Sequence, residues 1–431
     1  MTDSEPLLSV RNLEKHYPIT EGLLRREVGT VRAVDGVSFD VRPGEAVGLV
    51  GESGCGKSTT ARASLRLEEP TGGEIRFDGA DVRAYDDAQL RRFRRRAQLV
   101  LQDPDSAFNP RLTVGEAVAE PLSVHGLSDR DRRRRVVEDA LERVGLSADD
   151  ADGYPHEFSG GEKQRIALAR ALVLNPDLIV ADEPVSALDG RAKGDVLGLL
   201  ADLRREFDVA VLLISHDVDV VRRFCDRVAV MYLGRIVERG PVERVFDDPR
   251  HPYTRVLLSS VPSLDPNDPI GRTGPEAPTD EPPDASDLPA CCRFHPRCPA
   301  IVPPDEVDLP REQWLGVVSL RLHLDPAADA DAFRASLPAA GEAGLRARFD
   351  LPERLADPAV DEAVSAAAAA VEAGDLAAAR ERLAEATTSV CERESPALTD
   401  AHADRPVACH RFDPSVPGEP ETGVPVRSLE D

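Results

Sequence analysis

Short apolar runs recur along the first half of the chain, each ending in glycine or polar residues. Their length predicts buried strands rather than helices. Residues 91 to 160 differ, because charged and aliphatic residues recur there at the spacing of amphipathic helices. Such alternation of strand and helix is typical of an α/β sheet, preceded here by an antiparallel region. The predicted strands cover residues 33–39, 46–50, 74–77, 97–101, 178–182, 209–215 and 228–233.

The stretch from Gly51 to Thr59 reads GESGCGKST and directly follows the predicted strand at 46–50. Strand, glycine loop and Lys-Ser at a helix start form a complete G-x-x-x-x-G-K-[ST] phosphate loop. The glycines let backbone N–H groups point inward, and the helix N-terminus adds its positive dipole end. Lys57 is expected to reach the β- and γ-phosphates, and Ser58 to bind Mg²⁺. The predicted nucleotide contacts are Gly51, Ser53, Gly54, Cys55, Gly56, Lys57, Ser58 and Thr59.

Two carboxylates, Asp182 and Glu183, come at the end of the predicted strand at 178–182. Ligands of open α/β sheets bind at the carboxyl ends of the strands, so both side chains are expected beside the phosphate loop. We expect Asp182 to hold Mg²⁺ through water and Glu183 to polarise the attacking water. The chain is therefore predicted to bind and hydrolyse a nucleoside triphosphate.

The segment FSGGEKQR, residues 158–165, has the pattern of a capped helix start. Ser159 is the predicted N-cap and Glu162, three residues on, completes a capping box, while the two glycines between them permit close approach to a ligand. The segment resembles the signature of ATP-binding cassette (ABC) ATPases, in which one subunit's signature closes over ATP held by another. The family usually has Leu and Gln where this chain has Phe158 and Glu162. The capping box is expected to turn Glu162 toward backbone and away from the triphosphate.

Further elements match this family in the family's order. Gln102 matches the Q-loop, and His216 matches the switch histidine that senses the γ-phosphate. Tyr17 matches the aromatic residue that stacks on adenine. The resemblance implies Glu183, His216 and Gln102 as catalytic residues. It implies a Mg²⁺ site of Ser58, Gln102 and Asp182, and nucleotide contacts from Tyr17, Ser159, Gly160, Gly161 and the D-loop residue Asp189.

The resemblance also implies the fold class: α/β, a P-loop NTPase with a RecA-like core, an antiparallel β-subdomain and a helical subdomain. This cassette is predicted to occupy residues 1–245, with its helical subdomain at about 91–160. Behind it we expect a C-terminal extension at 246–264, and then a linker at 265–290 too rich in Pro, Asp and Glu to pack a core. Residues 291–431 are predicted to form a cysteine-containing region.

The segments after the cassette indicate one subfamily of these ATPases. His251-Pro252-Tyr253-Thr254 and the cysteine motif at 291–298 resemble the C-terminus of oligopeptide/dipeptide (and nickel) importer ATPases. The stretches 21–26 and 102–114 also look like that subfamily. An insertion at about 299–390 separates the cysteines that this family has close together. It contains a predicted helical pair, 361–372 and 376–388, of good helix formers.

Four thiols, those of Cys292, Cys298, Cys391 and Cys409, are candidate metal ligands. Their family counterparts look like ligands of a [4Fe–4S] cluster. Pro299, directly after Cys298, is similar to the proline that often follows a cluster cysteine. Zinc is the alternative, although the Cys-x₅-Cys spacing is wider than zinc sites usually have. Unliganded thiols are a third interpretation, since the insertion separates the two halves.

The charge pattern excludes some functions. The chain has a formal net charge of −25, and Lys15, Lys57, Lys163 and Lys193 are its only lysines. No net basic face appears, so nucleic acid is not an expected partner. We interpret the arginine runs at 91–96 and 132–135 as solvated helix faces, and docking to a partner subunit is the alternative. The acidic excess, combined with so few lysines, predicts a cytosol of molar salt, where charge repulsion is screened. Ordinary variation in acidic content is the alternative. No apolar stretch is long enough for a membrane span, and no secretion signal is evident.

Together, these features predict the ATP-hydrolysing subunit of an ABC importer, with di- and oligopeptides as the expected solute. The resemblance implies a second cassette, identical or related, two membrane permease subunits and an extracellular solute-binding protein. The protein is expected on the cytoplasmic face of the membrane, as a peripheral subunit. An importer of another solute, such as nickel or a sugar-like compound, and an exporter are the alternatives. A non-transport ABC ATPase fits least, since coiled-coil or zinc modules are lacking between phosphate loop and signature.

Overall fold

The computed structural model describes residues 5–22, 26–103, 106, 108–259, 288–399 and 405–413. Most of the predicted linker at 265–290, and parts of the stretches 21–26 and 102–114, lie outside these residues. Within the described part of the chain, no helix combines the length and apolar character needed to cross a bilayer.

The strands form two sheets. The first is antiparallel, with order β2-β1-β4-β5, and the second has order β10-β9-β3-β8-β7-β6. In the second sheet β3 pairs in parallel with β8 and β9, and β7 with β6 and β8, while β10 is an antiparallel edge. The strands are β1 (Leu8–Glu21), β2 (Arg26–Val41), β3 (Ala46–Val50), β4 (Gly72–Phe77), β5 (Ala80–Asp81), β6 (Ala97–Val100), β7 (Leu178–Asp182), β8 (Ala210–Ser215), β9 (Arg227–Tyr232) and β10 (Arg235–Pro241).

The second sheet is buried on both faces, which explains why its strands are continuous apolar runs. Successive residues of β8 contribute to two different cores: Val211 and Leu213 to one, Leu212 and Ile214 to the other. The first core contains helical residues and the second contains residues of the antiparallel sheet. The parallel sheet therefore lies between a helical layer and the antiparallel sheet. This is the α/β P-loop architecture that the sequence predicts.

The helices of the cassette and its extension lie on this framework. The strand β6, at the start of the predicted helical subdomain, pairs with β7 in the main sheet; the helices after it pack on one another. They are α1 (Lys57–Ser64), α2 (Asp87–Arg96), α3 (Val114–Val124), α4 (Arg130–Arg143), α5 (Gly160–Leu172), α6 (Gly190–Phe207), α7 (Val218–Phe224), α8 (Val242–Asp247) and α9 (Pro252–Ser259).

The insertion is larger than the helical pair expected from its sequence. That pair exists, with Gly374 at φ 80° and Asp375 as the N-cap of its second helix, but three further helices join it around a separate core. A small fourth cluster, including Trp314 and Cys391, packs against Cys292 and Cys298. The helices here are α10 (Arg311–His323), α11 (Ala330–Ala335), α12 (Gly341–Arg348), α13 (Pro358–Glu372), α14 (Leu376–Thr387) and α15 (Val390–Arg393).

Candidate functional site

The phosphate loop connects β3 to α1 at the carboxyl edge of the parallel sheet. Gly56 precedes the helix with φ 104°, and a Cβ there would lie 2.0 Å from the carbonyl oxygen of Ala33. Only glycine fits both the left-handed backbone and this close approach. The N-cap offers no side chain to the first turn of α1, so its N–H groups are open to an anion.

Lys57 is buried at the base of this loop, with 5% of its surface exposed. Its ammonium group donates to the carbonyl oxygens of Gly51, at 2.8 Å, and Glu52, at 2.9 Å. The charge is thus held by neutral carbonyl groups inside the loop. A phosphate in the loop would give Lys57 a charged partner in their place.

Ser58 and Asp182 come together as the sequence predicts for a Mg²⁺ site. The Ser58 hydroxyl donates to Asp182 Oδ1 at 3.0 Å. Burial raises the pKa of Asp182, while the hydrogen bond from Ser58 and the nearby charges of Arg62 and Lys57 counteract this. A hydroxyl and a carboxylate are the oxygen ligands that Mg²⁺ prefers in such sites, so this pair fits the ion.

Gln102 and His216 both contact one carboxylate oxygen of Glu183. Gln102 Nε2 donates to Glu183 Oε2 at 3.0 Å, and His216 Nδ1 lies 3.0 Å from the same oxygen. Glu183 has φ 48°, and its N–H donates to the carbonyl oxygen of Ile214 at 2.9 Å. The chain turns sharply at the end of β7 and presents this side chain at the strand edge. The geometry gives the Glu183 carboxylate two polar neighbours and places it next to Asp182, the expected Mg²⁺ ligand.

The signature begins helix α5 with a complete capping box. Glu162 Oε2 accepts from the Ser159 N–H at 2.8 Å and from its hydroxyl at 2.7 Å. These two hydrogen bonds lower the pKa of Glu162. The expectation that Glu162 faces backbone is confirmed. Gly160 and Gly161 approach Leu188 and Ala192, around the helix start that Asp189 caps.

Tyr17 lies on β1 close to the phosphate loop. Its hydroxyl donates to Glu68, its ring lies 4.9 Å from Lys15 Nζ, and Thr59 is a further hydrogen-bonding neighbour. Burial raises the pKa of its hydroxyl, as do the hydrogen bond to Glu68 and the charge of that carboxylate. Tyr17 is therefore beside Thr59 and within the nucleotide-binding end of the cassette.

The four candidate thiols are neighbours in space although the insertion separates them in sequence. The Cys292 N–H donates to the carbonyl oxygen of Cys391 at 3.1 Å. Burial, followed by the charge of Cys391, raises the pKa of Cys292 to about 12; burial raises that of Cys409 to about 12, with Cys391 contributing. Burial and the other three thiols raise the pKa of Cys298. In the described residues, however, no three Cys, His, Asp or Glu side chains are arranged as a ready metal site.

Sequence reasoning missed two contacts to the phosphate loop from the C-terminal region. Arg297 Nη1 lies 3.1 Å from Glu52 Oε2, and the Tyr253 hydroxyl accepts from the Glu52 N–H at 2.8 Å. Tyr253 is part of the His-Pro-Tyr-Thr motif and Arg297 of the cysteine motif. Both motifs carried a resemblance, but nothing in their spacing indicated which part of the cassette they contact.

Comparison with known proteins gives three family matches. Residues 34–186 match the model described as ABC transporter, and residues 237–303 match the oligopeptide/dipeptide transporter C-terminal region. Residues 311–404, which include most of the insertion, match a domain of unknown function.

Similar proteins include the glutathione import ATP-binding protein GsiA of Escherichia coli K12, which is 53% identical over 268 residues. That match covers 62% of this chain and 43% of the relative. GsiA of Pectobacterium atrosepticum is 52% identical over 264 residues, covering 61% and 42%. The chain thus spans less than half the length of these relatives. Among solved structures, a dimeric post-hydrolysis state of the ATP-binding cassette MJ0796 bound to ADP and Pi is 31% identical, with a TM-score of 0.49, and the match covers 55% of this chain and 98% of that one.

Proposed function

We propose that the chain, a member of the ABC transporter ATPases with an oligopeptide/dipeptide transporter C-terminal region, hydrolyses ATP to drive peptide uptake through separate membrane subunits. The observation that carries the proposal is the convergence of Gln102, Glu183 and His216 beside the Ser58–Asp182 pair. Five residues from four separate segments meet at one sheet edge, where a γ-phosphate in the loop would lie.

In this mechanism Lys57 exchanges its carbonyl partners for the β- and γ-phosphates. Ser58 and Asp182 would hold Mg²⁺, which supplies positive charge to the phosphates. Glu183 takes a proton from the attacking water as the water oxygen bonds to the γ-phosphorus and the bond to ADP breaks. Gln102 and His216 fix the orientation of Glu183, and His216 also positions the γ-phosphate.

The signature residues need a second cassette. Ser159 and Gly161 lie at the start of α5 and would contact the nucleotide of a partner, which is the same chain or a related one. Closure of the two cassettes on ATP would be passed to two permeases through the groove beside Gln102, with an extracellular binding protein delivering the solute. The protein would then be peripheral, on the cytoplasmic face of the membrane.

Peptides are the proposed solute because residues 237–303 match the peptide-transporter C-terminal region. The test uses cells that lack this chain, complemented with wild type or with Glu183→Gln. Uptake of a labelled tripeptide should require the wild type, and excess unlabelled peptide, but not nickel or a sugar, should compete. Peptide uptake that is equal in both strains would contradict the proposal.

A [4Fe–4S] cluster on Cys292, Cys298, Cys391 and Cys409 is the proposed second cofactor. Four thiols grouped at one site in a reducing cytosol fit iron as a donor set. The proposal requires that the thiols rearrange into ligating positions, since that geometry is not formed among the described residues. Zinc would use the same four donors.

Protein purified without oxygen should be brown, with about four iron atoms per chain, as expected for a four-cysteine cluster. Cys298→Ser should lose colour and iron, whereas Cys225→Ser, at a buried thiol behind α7, should keep both. A colourless protein with one zinc per chain would show that the four thiols bind zinc and not an iron–sulfur cluster. A wild type without metal would contradict the proposal of a second cofactor.

A further inference from the structure

The C-terminal region contacts the phosphate loop directly at Glu52. Arg297 Nη1 lies 3.1 Å from Oε2 and 3.3 Å from Oε1 of this carboxylate. The Arg297 side chain is only 8% exposed and also donates to the Tyr232 hydroxyl at 3.3 Å. The backbone of Glu52 is fixed as well, because its N–H donates to the Tyr253 hydroxyl. Side chain and backbone of one loop residue are thus both anchored from outside the cassette core.

A second residue of the same region, Arg293, is connected to Cys55 of the loop through Leu233 and Gly234. Arg293 donates to the carbonyl oxygen of Leu233 and to Asp35. The next residue, Gly234, donates its N–H to the carbonyl oxygen of Cys55 at 2.8 Å. Arg297 therefore contacts the loop directly at Glu52, whereas Arg293 is connected to it through Leu233 and Gly234.

The charge of Glu52 gives the Arg297 contact its importance. A carboxylate inside a loop that holds a triphosphate has the same sign as the ligand and would repel it. The carbonyl oxygen of Glu52 also accepts from Lys57, the residue expected to bind the phosphates. An arginine on this carboxylate neutralises it and fixes its direction in a largely buried pair, where salt screens charge only weakly.

We propose that Arg297 is a positioning residue for nucleotide binding: it neutralises Glu52 and keeps the phosphate loop competent for a triphosphate. The inference rests on the proposed ATPase function but concerns residues that the function does not itself assign. Because Arg297 directly precedes Cys298, the cysteine region and the nucleotide site share one structural connection. Order in residues 291–298 and affinity for ATP should depend on each other.

The test measures the dissociation constant of a fluorescent ATP analogue for wild type, Arg297→Gln, Glu52→Gln and the double variant. Arg297→Gln leaves an unpaired carboxylate at the loop and should weaken binding about tenfold, as coupled charge pairs do. Glu52→Gln removes the repulsion and should bind as tightly as wild type. The double variant should recover to within about twofold of wild type, since neither charge remains.

The control is Arg346→Gln, which removes an equally buried arginine whose partners, Glu342 and Asp361, lie within the insertion. It should leave the affinity unchanged. Wild-type affinity in Arg297→Gln would overturn the proposal. So would a double variant as weak as Arg297→Gln, because a merely structural role of Arg297 is not rescued by neutralising Glu52. A wild type that binds no nucleotide would instead refute the proposed function.

Hydrogen exchange supplies a readout that does not depend on activity or on the analogue. In the wild type, ATP should slow amide exchange in residues 288–299, because coupling between two sites acts in both directions. In Arg297→Gln the same peptide should no longer respond to ATP. An identical response in the variant would show that the connection does not pass through Arg297.

Discussion

At the scale of single residues, side-chain contacts from Ser58 to Asp182 and from Arg297 to Glu52 join the phosphate loop to other parts of the chain. The Ser58–Asp182 contact follows from two motifs whose positions at the strand ends were clear from the apolar runs. The partner of Glu52 was not predictable, because Arg297 is 245 positions away and no periodic pattern links the two. Pairing over such distances is decided by the docking of whole segments.

Glu162 offers a test of the departure from the usual signature. Its carboxylate accepts from Ser159 in the capping box, and a Gln can make the same return bond while an Ala cannot. Glu162→Ala should therefore destabilise the cassette by about 0.5–1 kcal/mol, typical of a lost cap interaction. Glu162→Gln should be neutral in stability and retain ATPase activity. Thermal unfolding with the two variants in parallel measures this; equal losses in both would contradict the capping role.

At the scale of elements, the buried strands and the phosphate-loop helix could be predicted because their patterns are local. The strand at 209–215 reads as a continuous apolar run because alternate residues face two different cores. Strand order within the sheet was not predicted, since pairing of β3 with β8 and β9 is set by tertiary packing.

In the insertion, hydrophobic periodicity did not predict every helix. Helix α10 was not predicted, because its apolar residues do not form one stripe. Val317 and Leu320 pack into the core of the insertion, whereas Trp314 and Val318 pack beside the cysteines. A helix that joins two cores has apolar residues around most of its circumference, so the 3.6-residue signal weakens. The Ala-rich pair α13 and α14, with a glycine break between them, was predicted correctly.

At the scale of the whole molecule, the chain carries a formal net charge of −25. The described surface carries many arginine–carboxylate pairs, yet carboxylates exceed basic residues, 78 to 53. Uncompensated repulsion destabilises a compact state, and salt reduces it by shortening the Debye length to about 3 Å at 1 M.

We therefore propose adaptation to high salt, which thermal unfolding can test. The unfolding temperature should rise by at least about 4 °C between about 0.1 M and about 2 M KCl, equivalent to about 1–2 kcal/mol in a domain of this size. Chloride is used because sulfate strengthens apolar burial in any protein. Equal or greater stability in the dilute salt would refute this hypothesis.

The central claim is that Glu183 is the base of an ATPase, and its most direct test is steady-state ATP hydrolysis by purified Glu183→Gln beside wild type. The amide keeps the shape and the contacts with Gln102 and His216 but cannot take a proton, so ATP should still bind and trap a closed dimer. Hydrolysis should fall by about 10²–10⁴, the contribution of a positioned general base. Glu243→Gln, at an exposed carboxylate on α8, should hydrolyse ATP like wild type. Wild-type hydrolysis by Glu183→Gln would contradict the account.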